Sequence, residues 1–250
     1  MPPEPIPAAA PDRIPPTTVR WRASLPPLPA ALGEHAGLDI AFHPDAADPL
    51  AVPAFADLVA HLRAQQIVRA LSARTNRVLA GTRVSVLGDG VLADAIADAL
   101  TRLGARVTLA TDSPAAALRA RIRGRAVVGR DAVAAAPAEH LVATGEGHTP
   151  FDPAGIAATA IDASFLGGAL VTSAAGEPIR AGVVRHGAGW IVASPSLWPE
   201  ADATDLERRA ADAFLLLSRL SADTAPSRDA ADPASDAADL DARFAREVQV

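Results

Sequence analysis

Three observations predict an α/β fold, a doubly wound, mainly parallel Rossmann-type sheet with a C-terminal antiparallel hairpin and helix. Between residues 83 and 164, β-branched runs alternate with helical segments, and parallel strands need such crossovers. The first strand–helix junction reads Gly88-Asp89-Gly90-Val91-Leu92-Ala93, a G-x-G-x-x-A loop. Beyond residue 175 the rhythm turns antiparallel and leads into an amphipathic helix.

Each element follows in order. Residues 1–18 are proline-rich with too little apolar content to pack, which predicts disorder. Residues 19–60 hold the short apolar pieces VRWRASL and LDIAF, read as a small extension of edge strands or a cap. Residues 54–80 predict a helix: Leu58, Leu62, Ile67, Leu71, Val78 and Leu79 recur at near-helical spacing, and Gly81 stands at a helix stop. Strands follow at 83–88, 106–111, 125–129, 140–145 and 159–164, with helices at 91–104, from Ser113-Pro114, and briefly after Asp131. Two further strands flank His186-Gly187-Ala188-Gly189, and a helix spans 203–220. The domain reading is therefore a Rossmann domain over 61–220, with a mostly disordered tail over 221–250.

Composition excludes much chemistry. The 23 basic residues are all arginine, and the 250-residue chain has no lysine, cysteine or tyrosine. Thiolate nucleophiles, zinc–thiolate sites, Schiff bases and Tyr–Lys dehydrogenase pairs are thereby ruled out. The net charge of −6 predicts neither nucleic acid nor an acidic membrane as partner. No run approaches the roughly 20 apolar residues of a membrane span, and the N-terminus lacks the pattern of a secretory leader; a cytoplasmic location is expected.

The glycine loop carries the functional expectation, a bound dinucleotide. Gly88 makes the tight turn, and Gly90 lets backbone approach a pyrophosphate seated on the N–H groups of Val91 and Leu92. Ala93 is small enough for helix–strand packing. Against that, Asp89 places a negative charge inside the loop. A ribose-binding acid belongs at the end of the second strand, where Thr111 stands and Asp112 follows. Thr111, with the arginines of RARIRGR (119–125), instead leaves room for a 2′-phosphate, so NAD is expected with NADP as the variant; a solvated helix face is the bland reading of those arginines.

The stretch RTNRVLAGTRVSVLGDG, then GARVTLAT-D-SPAAALRARIRG, then HLVATGEG, resembles the NAD-binding domain of S-adenosylhomocysteine hydrolases over about residues 70–165. The resemblance implies NAD as cofactor, with Thr144 and Gly145 beside the nicotinamide. The departures imply more. Thr111 replaces the family's ribose-binding glutamate, and Asp162-Ala163-Ser164-Phe165 stands where Asn-Ile-Gly-His lies by the nicotinamide. The catalytic lysine and the large substrate domain have no counterpart, so this chain by itself is expected not to hydrolyse adenosylhomocysteine.

The loop TGEGHTPFD supplies the remaining candidates. His148 is the candidate general acid/base, oriented by Glu146 or Asp152, with a solvated polar loop as the alternative. His186 reads as surface, His140 as structural, and no histidine has metal-ligand spacing. The expected partner is a dinucleotide, with a homodimer or a partner protein also open. Two main functional readings remain: an NAD-dependent, oxidoreductase-like protein, or a non-catalytic scaffold that senses a nucleotide or holds a partner; the glycine loop also tolerates an adenylating module, for which no Arg/Lys/Asp set for ATP is visible. An occluded Gly88–Ala93 loop favours the second.

Overall fold

In the computed structural model, which describes residues 16–135, 138–146, 149–171, 176–200, 203–223 and 233–248, the β-branched runs become strands as the alternation requires. The chain opens with β1 (Thr17–Trp21), α1 (Ala30–His35) and β2 (Leu38–Phe42), and β1 and β2 pair in parallel as a separate two-stranded sheet. The long α2 (Pro53–Thr75) follows, ended by Asn76 in the left-handed conformation. The main series is β3 (Arg83–Leu87), α3 (Val91–Arg102), β4 (Arg106–Ala110), α4 (Pro114–Ile122) and β5 (Ala126–Val128). A 3-10 turn at Arg130–Ala135 precedes β6 (His140–Ala143) and β7 (Thr159–Asp162). The chain continues with β8 (Glu177–Arg180), β9 (Val183–His186), β10 (Gly189–Val192), α5 (Asp205–Asp223) and α6 (Pro233–Val248).

The sheet order is β5-β4-β3-β6-β7-β10-β9-β8. From β5 to β10 the strands run parallel; β9 and β8 complete the edge antiparallel. The order reverses between β3 and β6, the switch point outside which open α/β sheets bind ligands. The C-terminal hairpin is thus a three-stranded meander, whose last strand rejoins the parallel sheet.

Three clusters share the buried apolar residues, one on each face of the sheet and one that holds the aromatics. Val84, Val86, Val142 and Ile161 of the sheet pack with Leu92, Ile96 and Leu100 of α3 and Ile67 and Leu71 of α2. The opposite face carries Leu87, Ala110, Leu141 and Ala160, covered by Val133 and by the segment through Ala169 and Leu170. The aromatics gather elsewhere: Trp21, Phe55, Trp198, Phe214 and Phe244 join β1, the first half of α2, α5 and α6. Phe55 meets Phe244 edge-on at 5.6 Å, and Trp21 Nε1 donates to Ser218 Oγ at 3.0 Å.

Three differences from the sequence reading have physical causes. Residues 17 and 18 belong to β1, because pairing with β2 satisfies a backbone too polar to pack by itself; residues 1–15 lie outside the described residues. The boundary at 60/61 falls inside α2, whose two halves serve different cores. The tail expected to be disordered forms α6 over 233–248, since Leu240 and Phe244, one turn apart, bury against α2 and α5. Asp241 Oδ1 also accepts from Ala54 N at 2.6 Å, capping α2, whose own N-cap residue Val52 has no side-chain acceptor.

Candidate functional site: a glycine loop capped from within

The site lies at the carboxyl ends of β3 and β6. Gly88 leaves β3 with φ +151, where a Cβ would overlap Thr144 Oγ1, so only glycine fits this turn. Gly90 is the N-cap residue of α3 and supplies no side-chain acceptor. The first N–H groups of a helix need partners and carry the positive end of its dipole. In a dinucleotide protein a phosphate meets that need. Here a carboxylate of the chain itself does so.

Glu146 Oε2 accepts from Gly90 N at 3.1 Å and from Ala93 N at 3.3 Å, while Oε1 accepts from Leu92 N at 3.1 Å. Thr144 Oγ1 lies 3.0 Å from Glu146 Oε2 and 3.1 Å from the Leu87 carbonyl oxygen, sharing one proton between them. Any Cβ on Gly90 would overlap the Glu146 carboxylate. Burial pushes the Glu146 carboxyl above its ordinary value, and the hydrogen bonds from Leu92, Thr144, Ala93 and Gly90 pull the other way. Both glycines are therefore accounted for from within the chain, Gly88 by Thr144 and Gly90 by the Glu146 carboxylate. As arranged, the loop does not fit a pyrophosphate, because the N–H groups of Gly90, Leu92 and Ala93 are already engaged.

The ribose end is equally committed. Thr111 is buried, and its Oγ1 accepts from Ser113 N at 3.1 Å. Asp112 Oδ1 accepts from Arg130 N at 3.0 Å. The arginines after Asp112 strap α4 to α3: Arg119 Nη2 donates to the Asp89 carbonyl at 2.7 Å, and Arg123 pairs with Asp94 at 3.0 Å. Arg125 pairs with both Asp94 and Asp98. Arg119, Arg121 and Arg123 nonetheless stay exposed, as a solvated helix face requires, and Arg125 alone of the four is buried.

The structure thus brings together Gly88, Gly90, Leu92, Thr144 and Glu146. Val91 is partly exposed and faces a separate surface cavity shared with Asp57 and His61. Gly145, at φ +70, packs against Ala169. His148 lies outside the described residues. Asp152, read as a possible orienter of His148, accepts from Ala154 N at 2.9 Å and meets His186 Nε2 at 3.2 Å; the first of these bonds chiefly holds its carboxyl below the ordinary value. His186, read as surface, is consequently only 9% exposed at its side chain. Asp162 and Ser164 close a turn, with Asp162 Oδ2 accepting from Ala169 N at 2.8 Å.

Sequence reasoning passed over Arg63. It is buried in the middle of α2, its pKa lowered to about 10 by burial, and it donates to the carbonyls of Ala163, Ser164 and Pro195 and to Ser194 Oγ. It ties α2 to the carboxyl ends of β7 and β10; an arginine on an otherwise apolar helix face was the available signal. Among the described residues no group of three or more His, Asp or Glu side chains could hold a metal, and no helix is long and apolar enough to cross a membrane.

No protein-family model and no curated protein matches the chain. Solved structures do. A transhydrogenase from Sinorhizobium meliloti superposes with TM-score 0.50 at 18% identity over 77% of this chain and 63% of that one. The A chain of dipicolinate synthase from Bacillus subtilis gives TM-score 0.44 at 15% identity, covering 58% of this chain and 48% of that one. The chain thus spans less than two thirds of either structure's length. At such identity the transhydrogenase likeness shows the fold alone, and that fold is a Rossmann-type α/β sheet.

Proposed function

We propose that the chain is a Rossmann-type NAD(H)-binding module whose phosphate seat is held shut by Glu146, a conditional binder rather than a dehydrogenase with a resident cofactor. The single observation that carries this reading is the Glu146 carboxylate on the N–H groups of Gly90, Leu92 and Ala93. A carboxylate on a helix N-terminus meets the same electrostatic demand as a phosphate, so the two compete for one seat. The hydrolase resemblance supports NAD as the nucleotide and Thr144-Gly145 as the nicotinamide side of the cleft. No residue is assigned a catalytic role.

The test is a fluorescence titration with NADH of wild type and Glu146→Ala. Removing one internal anion that makes charge-assisted bonds should tighten binding about ten-fold, the equivalent of about 1.4 kcal/mol. Equal affinities would show that Glu146 does not compete. A second reading, a scaffold with no nucleotide, is favoured by Thr111 and Asp112, both turned to local backbone rather than left for a ribose. Absence of NADH binding by both proteins at about 1 mM, a free energy weaker than about −4 kcal/mol, would select it.

A further inference from the structure

At the other end of the same strands lies a cavity of about 320 Å³ between the C-terminus of α2 and the β8–β10 meander. Arg77, Arg180 and Arg185 line it, together with Thr159, Ile179 and Trp190, and no acidic residue does among the described residues. Arg185 pairs with Glu177 at 3.5 Å. The guanidinium groups of Arg77 and Arg180 have no hydrogen-bond or ion-pair partner among the described residues. In a chain of net charge −6, two unpaired cations on one apolar cavity are a local reversal of sign.

The cavity also presents a flat apolar wall. Trp190 is 39% exposed and Ile179 46%, although both have a rigid sheet to pack against. Below them, β6, β7, β10 and β9 align His140, Thr159, Trp190 and Arg185 in one row across the sheet. His140 is fully buried with neither ring nitrogen hydrogen-bonded, and the positive charge of Arg77 acts on it. The cavity and the row beneath it thus combine Arg77 and Arg180, an exposed indole and a buried polar ring without a partner.

We propose that this cavity is a binding site for a small organic anion, a planar ring bearing a carboxylate or phosphate, with Arg77 and Arg180 on the anionic group and Trp190 on the ring. Arginine forks match carboxylate and phosphate oxygens two at a time. An indole face takes a planar ring by stacking, with the polar group held outward. The site lies at the strand ends opposite the glycine loop and does not depend on nucleotide binding there.

Trp190 makes the test direct, because the other two tryptophans, Trp21 and Trp198, are buried. Phenyl phosphate and isophthalate, titrated separately, should quench the tryptophan fluorescence saturably, with benzyl alcohol as the uncharged control. Arg77→Met and Arg180→Met, at exposed positions, should each weaken the binding about ten-fold and leave the circular dichroism unchanged. Trp190→Phe should abolish the quenching while calorimetry still detects phenyl phosphate. No saturation by about 20 mM would overturn the assignment. So would equal affinity in the arginine variants, or binding of inorganic phosphate as tight as that of phenyl phosphate.

Discussion

Strand β6 has an ionisable group withdrawn from solvent at each end, Glu146 partly and His140 fully, and the two have opposite surroundings. Glu146, just beyond its carboxyl end, has three backbone N–H donors and a threonine hydroxyl around it. His140, its first residue, has none. Burial pushes both toward neutrality, raising the carboxyl and lowering the imidazole. The difference teaches that burial by itself does not mark a site. The glycine loop, which looks open in sequence, is satisfied from within, whereas the amino ends of the strands hold charge and polarity still uncompensated.

The largest expected effect breaks the satisfied end. Gly88→Val places a β-branched residue at φ +151 against Thr144, and the backbone strain with the overlap should cost about 3 kcal/mol. Thermal unfolding would read this as a fall of about 6–12 °C for a chain of this size. A loss under about 1 kcal/mol would mean that Thr144 and Glu146 are not packed on the loop as described.

Next is the unsatisfied end. A buried polar group without a partner costs about 1–3 kcal/mol, so His140→Leu should stabilise the protein by about 1 kcal/mol. The sign with pH follows from the lowered pKa. The folded state holds His140 neutral, so its contribution is fully present above the ordinary value of 6.5 and is lost as pH falls through the folded value. The leucine variant should therefore lose stability more slowly than wild type on acidification below 6.5, measured by urea unfolding. An unchanged acid slope would assign the titration to another group.

The smallest effect comes from Glu146, where burial and hydrogen bonding oppose one another. Its pKa is raised, so the stability it contributes is fully present below the ordinary value of 4.5 and declines as pH rises through the folded value. Glu146→Gln removes that titration, and the wild-type advantage over the variant should shrink as pH rises above 4.5. An advantage that grows with pH would show that the N–H groups outweigh burial.

Legibility followed distance along the chain. The strands at 83–88 and 106–111 and the helix opened by Ser113 were readable because their signals are local: β-branched runs, glycine stops and a serine whose Oγ accepts from Ala116 N. The third strand of the meander, β8, was not readable, since Glu177–Arg180 is exposed throughout and contains a proline. Nor was α6, whose apolar stripe has few large residues among Ala and Asp.

Composition by itself excluded thiol, lysine and tyrosine chemistry, and spacing by itself placed a glycine loop between a strand and a helix. Only the tertiary structure decided what occupies that loop. A serine caps α4 from the residue before it, which any reader of the sequence can see. Glu146 caps α3 from more than 50 residues away, and Asp241 caps α2 from 187 residues away. A helix N-terminus demands an acceptor but does not specify its source, so a sequence shows the demand, and the folded chain settles whether a ligand or a side chain meets it.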